Sequence, residues 1–281
     1  MSVQKSQMGI RRLVLLDIHA PKASEVLAAG ELAVEHAMRS KQPHAVVLTW
    51  PEEAVVYGLY EAVRDNESTA IYRRITGGHK AYMAPGQAYI AVALPWRKSL
   101  EGLASIALGI ASCAGGTYGV TVFGETGYIE VLGARSVEEA RQCLLEALNV
   151  EKSVKMHVPR TSLQELATLF ESQQWREYIY HRGDAEAERR REGGYWIRIS
   201  IETTDGYVTG YWLTGVFFSA PPTEVYNVLN SLRGARFHEL MLYNIELAIE
   251  KRIQFLGITS EDFMSAVREL YDAVGIRYYT R

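Results

Sequence analysis

Apolar positions along the chain fall into two periods, and the switches between them mark the elements. Arg12–Ile18 holds the unbroken apolar run Leu13-Val14-Leu15-Leu16, the length of a buried strand. From about Ala23 to Arg39 the pattern becomes helical, with Val26, Leu27, Leu32, Ala33, His36 and Ala37 on one face. Ala45–Trp50 and Ala54–Gly58 are short apolar runs punctuated by Pro43 and Pro51, and they predict two strands. Ala88–Leu94 is apolar throughout and predicts a strand buried on both faces. Ser99–Ala114 predicts a helix with Ser99 as its N-cap and Gly115-Gly116 as its stop. Tyr118–Phe123 and Tyr128–Leu132 pair around Gly124–Gly127 as a hairpin, and Ser136 with Glu139 forms a capping-box pattern opening a helix to about Ala147.

Periodicity lapses between Asn149 and Arg160, so a domain boundary is expected there, giving units 1–152 and 153–281. Beyond it a helix starts at Thr161 or Ser162, and Trp175–Tyr180 reads as extended. The charged segment His181–Gly194 mixes Arg189-Arg190-Arg191 with acidic neighbours and reads as a solvated loop. Tyr195–Ile201 and Tyr207–Phe218 alternate around Thr204-Asp205-Gly206, a strong hairpin signal. Helices follow near Thr223–Leu232, Glu239–Arg252 and Ser260–Val274. The fold class expected is α+β, a mixed-sheet domain with helices on its faces plus a small accessory domain.

Composition narrows the function classes. The 281 residues are 48% hydrophobic with a net charge of −3, so no basic field points to nucleic acid or an anionic membrane. No run reaches the ~20 apolar residues needed to span a bilayer. The polar Met1–Gln7 has no signal-peptide core, and a cytoplasmic location is expected. Cys113 and Cys143 lie far apart without metal-ligand spacing and read as small buried hydrophobes in a reducing compartment.

The chemistry concentrates in Tyr72-Arg73-Arg74-Ile75-Thr76-Gly77-Gly78-His79-Lys80-Ala81-Tyr82-Met83-Ala84-Pro85-Gly86-Gln87. Paired glycines let backbone N–H groups approach a ligand closely, and arginines can fork onto carboxylate or phosphate. An anion-binding turn at a strand end is one reading, and a tight hairpin with a solvated arginine pair is the other. Tyr72, Tyr82 and Tyr89 recur near strand periods and read as packing residues.

Arg73-Arg74-x-Thr76-Gly77-Gly78 resembles the signature of lipoate-protein ligases, and Tyr82–Gln87 is similar to the Tyr-His-Gly-Pro-Gly-Gln element of octanoyltransferases. Both belong to the biotin/lipoate ligase fold family. Val55-Val56-Tyr57-Gly58 matches the strand before that turn. Leu213–Pro221 and Gly257-Ile258-Thr259-Ser260-Glu261-Asp262-Phe263 resemble elements of the family's accessory C-terminal domain. The resemblance thus covers most of the chain in the expected order. It implies a lipoate/biotin-ligase-like domain with that accessory domain. It also implies acyl adenylation from lipoate or octanoate with ATP and Mg, and transfer to a lysine of a lipoyl-carrier domain.

The resemblance also implies a site. Arg73, Arg74, Thr76, Gly77, Gly78 and His79 would contact substrate, and the pocket lysine would fall where this chain has Tyr128. A neutral phenol cannot stabilise the charge that a lysine stabilises. Lys80 is the best-placed substitute cation. Other departures are Gly77-Gly78-His79 for three glycines, Met83-Ala84 after Tyr82, and Val216 for an aspartate. Cys143 lies too close to this site, in a helix, to serve as the octanoyltransferase nucleophile. Activity is therefore expected to be impaired or lost. The alternative is a non-catalytic homologue acting as a binding or assembly subunit, which an exposed strip of Trp196, Trp212, Phe217 and Phe218 would favour.

Overall fold

Strands apolar on both faces need cover on both, and the first unit supplies it. The computed structural model describes residues 9–63 and 69–275; Met1–Gln7 lies outside them. In chain order the first unit runs β1 (Leu13–Asp17), α1 (Ala23–Ser40), β2 (His44–Thr49), β3 (Ala54–Tyr57), β4 (Ala70–Arg73) and β5 (Ala81–Met83). It continues with β6 (Ala88–Pro95), α2 (Leu100–Ala114), β7 (Thr117–Phe123), β8 (Thr126–Ala134), α3 (Val137–Ala147) and β9 (Ser153–His157). Six strands form one mixed sheet in the order β7-β8-β6-β2-β1-β9. Within it β1 is parallel to β2 and β9, and the other neighbours are antiparallel. Helix α1 covers one face through Val26, Ala29 and Ala33, together with the small sheet β4-β3-β5, which contributes Val56, Tyr72 and Met83. Helices α2 and α3 cover the other face through Leu103, Ile110 and Leu144. Ser99 and Ser136 cap α2 and α3 as their sequence patterns predict.

The rest comprises α4 (Gln164–Glu171), α5 (Gln173–Arg176), β10 (Ala185–Arg190), β11 (Trp196–Thr204), β12 (Tyr207–Val216) and β13 (Phe218–Ala220), then α6 (Glu224–Asn230), α7 (Glu239–Arg252), β14 (Gln254–Leu256) and α8 (Ser260–Val274). Strands β10-β11-β12 form an antiparallel sheet, and α8 packs Phe263, Val267 and Leu270 onto Ile197, Ile199 and Leu213. Asp205 and Gly206 both take positive φ at the β11–β12 turn, as an Asp-Gly hairpin requires.

Several expectations change. Ser153–His157 is the edge strand of the first sheet, so that sheet extends past the expected boundary at 152/153. The chain then clasps α1: Arg160 donates to Glu25 at 2.8 Å and the Ser24 hydroxyl to Glu171 at 2.9 Å. Trp175 and Arg176 are helical rather than extended, ending the short helix Gln173–Arg176 capped by Ser172, and 177–180 form no strand. Within the charged segment Ala185–Arg190 is a strand, because its charges find partners on the ladder and on α8, where Glu269 pairs with Arg189 at 2.7 Å. Glu188 pairs in register with Arg198, which donates to it at 2.7 Å.

Cys113 and Cys143 are not separate thiols. The last turn of α2 passes α3 with the two Cα atoms 5.7 Å apart, and the cysteines form a disulfide. Phe217 and Phe218 are not an exposed strip; both are buried, while Trp196 and Trp212 are half-buried. No helix among the described residues is long and apolar enough to cross a membrane.

Candidate functional site

After β4 the chain turns through Arg74–Gly78 toward β5. Two backbone bonds hold this turn against the end of β3: Arg74 N–H donates to the Tyr57 carbonyl at 3.0 Å and Leu59 N–H to that of Thr76 at 2.8 Å. The glycines permit a close approach, and the partner is the protein's own chain. Gly78 N–H donates to the Phe217 carbonyl at 2.9 Å. A Cβ on Gly77 would overlap that carbonyl oxygen, and one on Gly78 would overlap the Phe218 ring. The segment joining β12 to β13 therefore lies where a glycine turn could receive a ligand.

The arginines also turn inward. Arg73 is 2% exposed, and its Nη1 donates to the carbonyls of Gly58, Leu59 and Glu61 at 2.8–3.0 Å. Its Nε donates to the Trp175 carbonyl at 3.0 Å, tying β4 to α5. Arg74 is 0% exposed; its Nη2 donates to the carbonyls of Gly77 at 2.9 Å and His79 at 2.8 Å. Its Nε and Nη1 are buried without an acceptor among the described residues. Burial pushes both guanidinium pKa values down, and for Arg74 the nearby Glu130 carboxylate works the other way. A buried cation of this kind persists because carbonyls and an opposite charge surround it.

Tyr128 lies on β8 and is 0% exposed. Its hydroxyl is 3.1 Å from that of Tyr89, which donates to Glu130 Oε1 at 2.7 Å; the Thr76 hydroxyl donates to Glu130 Oε2 at 2.5 Å. Both oxygens of a 1%-exposed carboxylate are thus satisfied. The phenols fit because α1 offers Gly30 opposite them, where a Cβ would overlap both hydroxyl oxygens. Burial and then Glu130 raise the pKa of both phenols, so they stay neutral donors at physiological pH. Met83 packs into the same interior.

An acyl carboxylate or phosphate brought here would meet Glu130 and two phenols in place of a free cation. Arg74 is already engaged by carbonyls.

Lys80 and His79 sit at the rim. Lys80 Nζ lies over the rings of Tyr57 at 5.2 Å and Tyr82 at 5.0 Å, a cation–π clamp on a half-buried side chain. His79 is exposed, 5.5 Å from the Tyr195 ring, and lines a groove of about 300 Å³ with Tyr118, Tyr195 and Phe218. Burial first and Arg74 second lower its pKa. The structure brings Arg74, Thr76, Gly77, Gly78 and Tyr128 around Glu130 and the Phe217–Phe218 segment. Arg73 instead braces α5, and Lys80 and His79 stand apart.

Glu130, Tyr89, Gly30 and the Phe217–Phe218 segment were not among the expected site residues. For Glu130 a signal was present: a lone carboxylate inside the apolar run Tyr128-Ile129-Glu130-Val131-Leu132 needs a buried partner. Nothing local to Gly30 or Phe217 marks them.

No protein-family model matches this chain, and no curated protein matches it. Solved structures do. P. falciparum LipL1 in complex with lipoate superposes with a TM-score of 0.63 at 8% identity, over 92% of this chain and 98% of its own. A bipartite lipoate protein ligase with its E2 lipoyl domain from Thermoplasma acidophilum covers 64% of this chain and 100% of its own at 12% identity, with a TM-score of 0.45. Lipoate-protein ligase A bound with ATP covers 60% and 98% at 12% identity, with a TM-score of 0.44. The last two likenesses are too loose to carry an argument. The first spans both halves of the chain, and on it this protein has the fold of the lipoate-protein ligases.

Proposed function

We propose that this chain is a lipoate-ligase-like protein whose acyl-adenylation step is impaired or lost, and that it serves as a non-catalytic binding or assembly subunit. One observation carries the reading. Tyr128, where the resemblance calls for a lysine, is locked with Tyr89 onto the buried carboxylate of Glu130. A developing negative charge there gains no preorganised cation, and losing one such donor typically costs ~10²–10³ in rate. The Phe217–Phe218 segment over Gly77-Gly78 supports the same reading, since it occupies the approach that a substrate would use. The partner in this reading is a protein, either a lipoyl-carrier domain or another subunit.

Pyrophosphate release with lipoate or octanoate and ATP-Mg, run beside an active lipoate ligase, tests the proposal. The expected result is no release, or release slower than that of the active ligase by ~10²–10³ or more. Turnover near ~1 s⁻¹, an ordinary enzyme rate, would overturn it. Lys80 would then be the cation to examine, and Lys80→Ala should abolish that turnover. Arg73 and Arg74 are poor choices for this purpose, because both brace the fold.

A further inference from the structure

Next to the Tyr128 cluster lies a cavity of about 200 Å³. Leu59, Ile75, Phe123 and Trp175 give it apolar and aromatic walls, and its charged lining residues are Glu31 and Glu35, one turn apart on α1. The two carboxylates differ. Glu35 pairs with Arg39 at 3.3 Å on the surface. Glu31 is half-buried and takes part in no ion pair among the described residues. The charges that act on it are Glu130 from the sheet and Glu35 from its own helix, both negative, and the phenols of Tyr89 and Tyr128 face it as neutral groups. Arg73 and Arg74, just before Ile75 in the chain, donate to backbone carbonyls. A carboxylate against apolar walls with only acidic neighbours is costly unless a cation reaches it.

We propose that this cavity binds a primary alkylammonium ion, with the ammonium on Glu31 and the methylenes against Leu59, Ile75, Phe123 and Trp175. The chemistry is selective in three ways. An anion is repelled by Glu31 and Glu35. A neutral alcohol of the same length gains the apolar walls but not the charge. A cation gains both the walls and the carboxylate. At roughly 30 Å³ per water-sized group, the volume suits a chain of about six heavy atoms. Such a group is carried both by a free alkylamine and by the side chain of a lysine on another protein. The proposal stands apart from the loss of adenylation, since it needs neither an acyl acid nor ATP.

The test is calorimetric titration of the full chain at pH 8 with n-pentylamine, Nα-acetyl-lysine amide, n-pentanol and pentanoate. Saturable binding of at least one amine is expected, with pentanol and pentanoate at least tenfold weaker. Glu31→Gln keeps the shape and should weaken amine binding at least tenfold. Ile75→Trp fills the cavity from another lining position and should abolish binding, so the result does not hang on one variant's folding. Binding of the lysine amide would identify a protein lysine as the natural source, and binding of pentylamine alone a free amine. Absence of saturable amine binding, equal affinity for pentanol, or unchanged affinity in both variants would overturn the proposal.

Discussion

Glu31 gives a stability prediction that can be worked through. Burial raises its pKa from 4.5 to about 7, and the charges of Glu130 and Glu35 add to the effect. Because the folded value lies above the unfolded one, the native state binds more protons than the unfolded state between these two pH values. This group's contribution to stability is therefore whole below about pH 4.5 and is lost as pH rises through about 7. The full gap corresponds to about 3 kcal/mol. Screening through the cavity brings a half-buried carboxylate down to roughly 1–2 kcal/mol. Glu31→Gln replaces the carboxylate with a neutral isostere. It should match the parent near pH 4.5 and exceed it by roughly 1–2 kcal/mol at pH 8. Urea unfolding of both proteins across that range, followed by fluorescence, measures the difference. A constant offset between pH 4.5 and 8, or a variant less stable at pH 8, would refute the reasoning.

Gly77→Ala should destabilise by about 2–3 kcal/mol, because the new Cβ overlaps the Phe217 carbonyl and breaks the Gly78–Phe217 bond. Gly109→Ala, where a Cβ meets nothing within 4 Å in the middle of α2, should be neutral or slightly stabilising in the same urea titration. Replacing Cys113 and Cys143 together by alanine opens a loop of 30 residues and should cost about 3–4 kcal/mol. Differential scanning calorimetry should show a fall of several degrees, and a thiol assay on the denatured, unreduced parent should find no free thiol.

Much of the architecture was legible because it rests on periodicity and punctuation. The buried run at Ala88–Leu94, the capped starts at Ser99 and Ser136, and the Asp205-Gly206 turn are local signals, and each element forms where its signal lies. The misread places depend on partners distant in sequence. Ala185–Arg190 carries too much charge to read as a strand until Arg198 and its neighbours stand opposite. Ser153–His157 has no strand pattern strong enough to override the boundary signal of its polar surroundings, yet β1 offers it a parallel edge. The cysteines meet only because α2 and α3 share one face of the sheet.

The candidate site divides along the same line. The sequence marks Gly77-Gly78 as a point of close backbone approach, and it is one. What approaches is decided 140 residues later, by a segment whose apolar character gives no hint of its destination. A glycine pair supplies the same donors and the same space to a phosphate oxygen or to a peptide carbonyl. The difference in outcome lies in charge. A ligand pocket needs a cation left free to respond to the ligand, whereas Arg74 meets two carbonyls and faces Glu130. With Glu130 beside that arginine, a lysine at position 128 would add a second positive charge beside one carboxylate. A phenol instead adds a neutral group that the Tyr89 hydroxyl can hold. Tyr128, Glu130 and Gly30 thus form one packing solution, in which the phenol needs the carboxylate for its hydrogen-bond network and the glycine for its space. On the proposed reading, Tyr128→Lys would add an ammonium near Arg74 without clearing Phe217 from the glycine turn, so that substitution alone is not expected to confer adenylation.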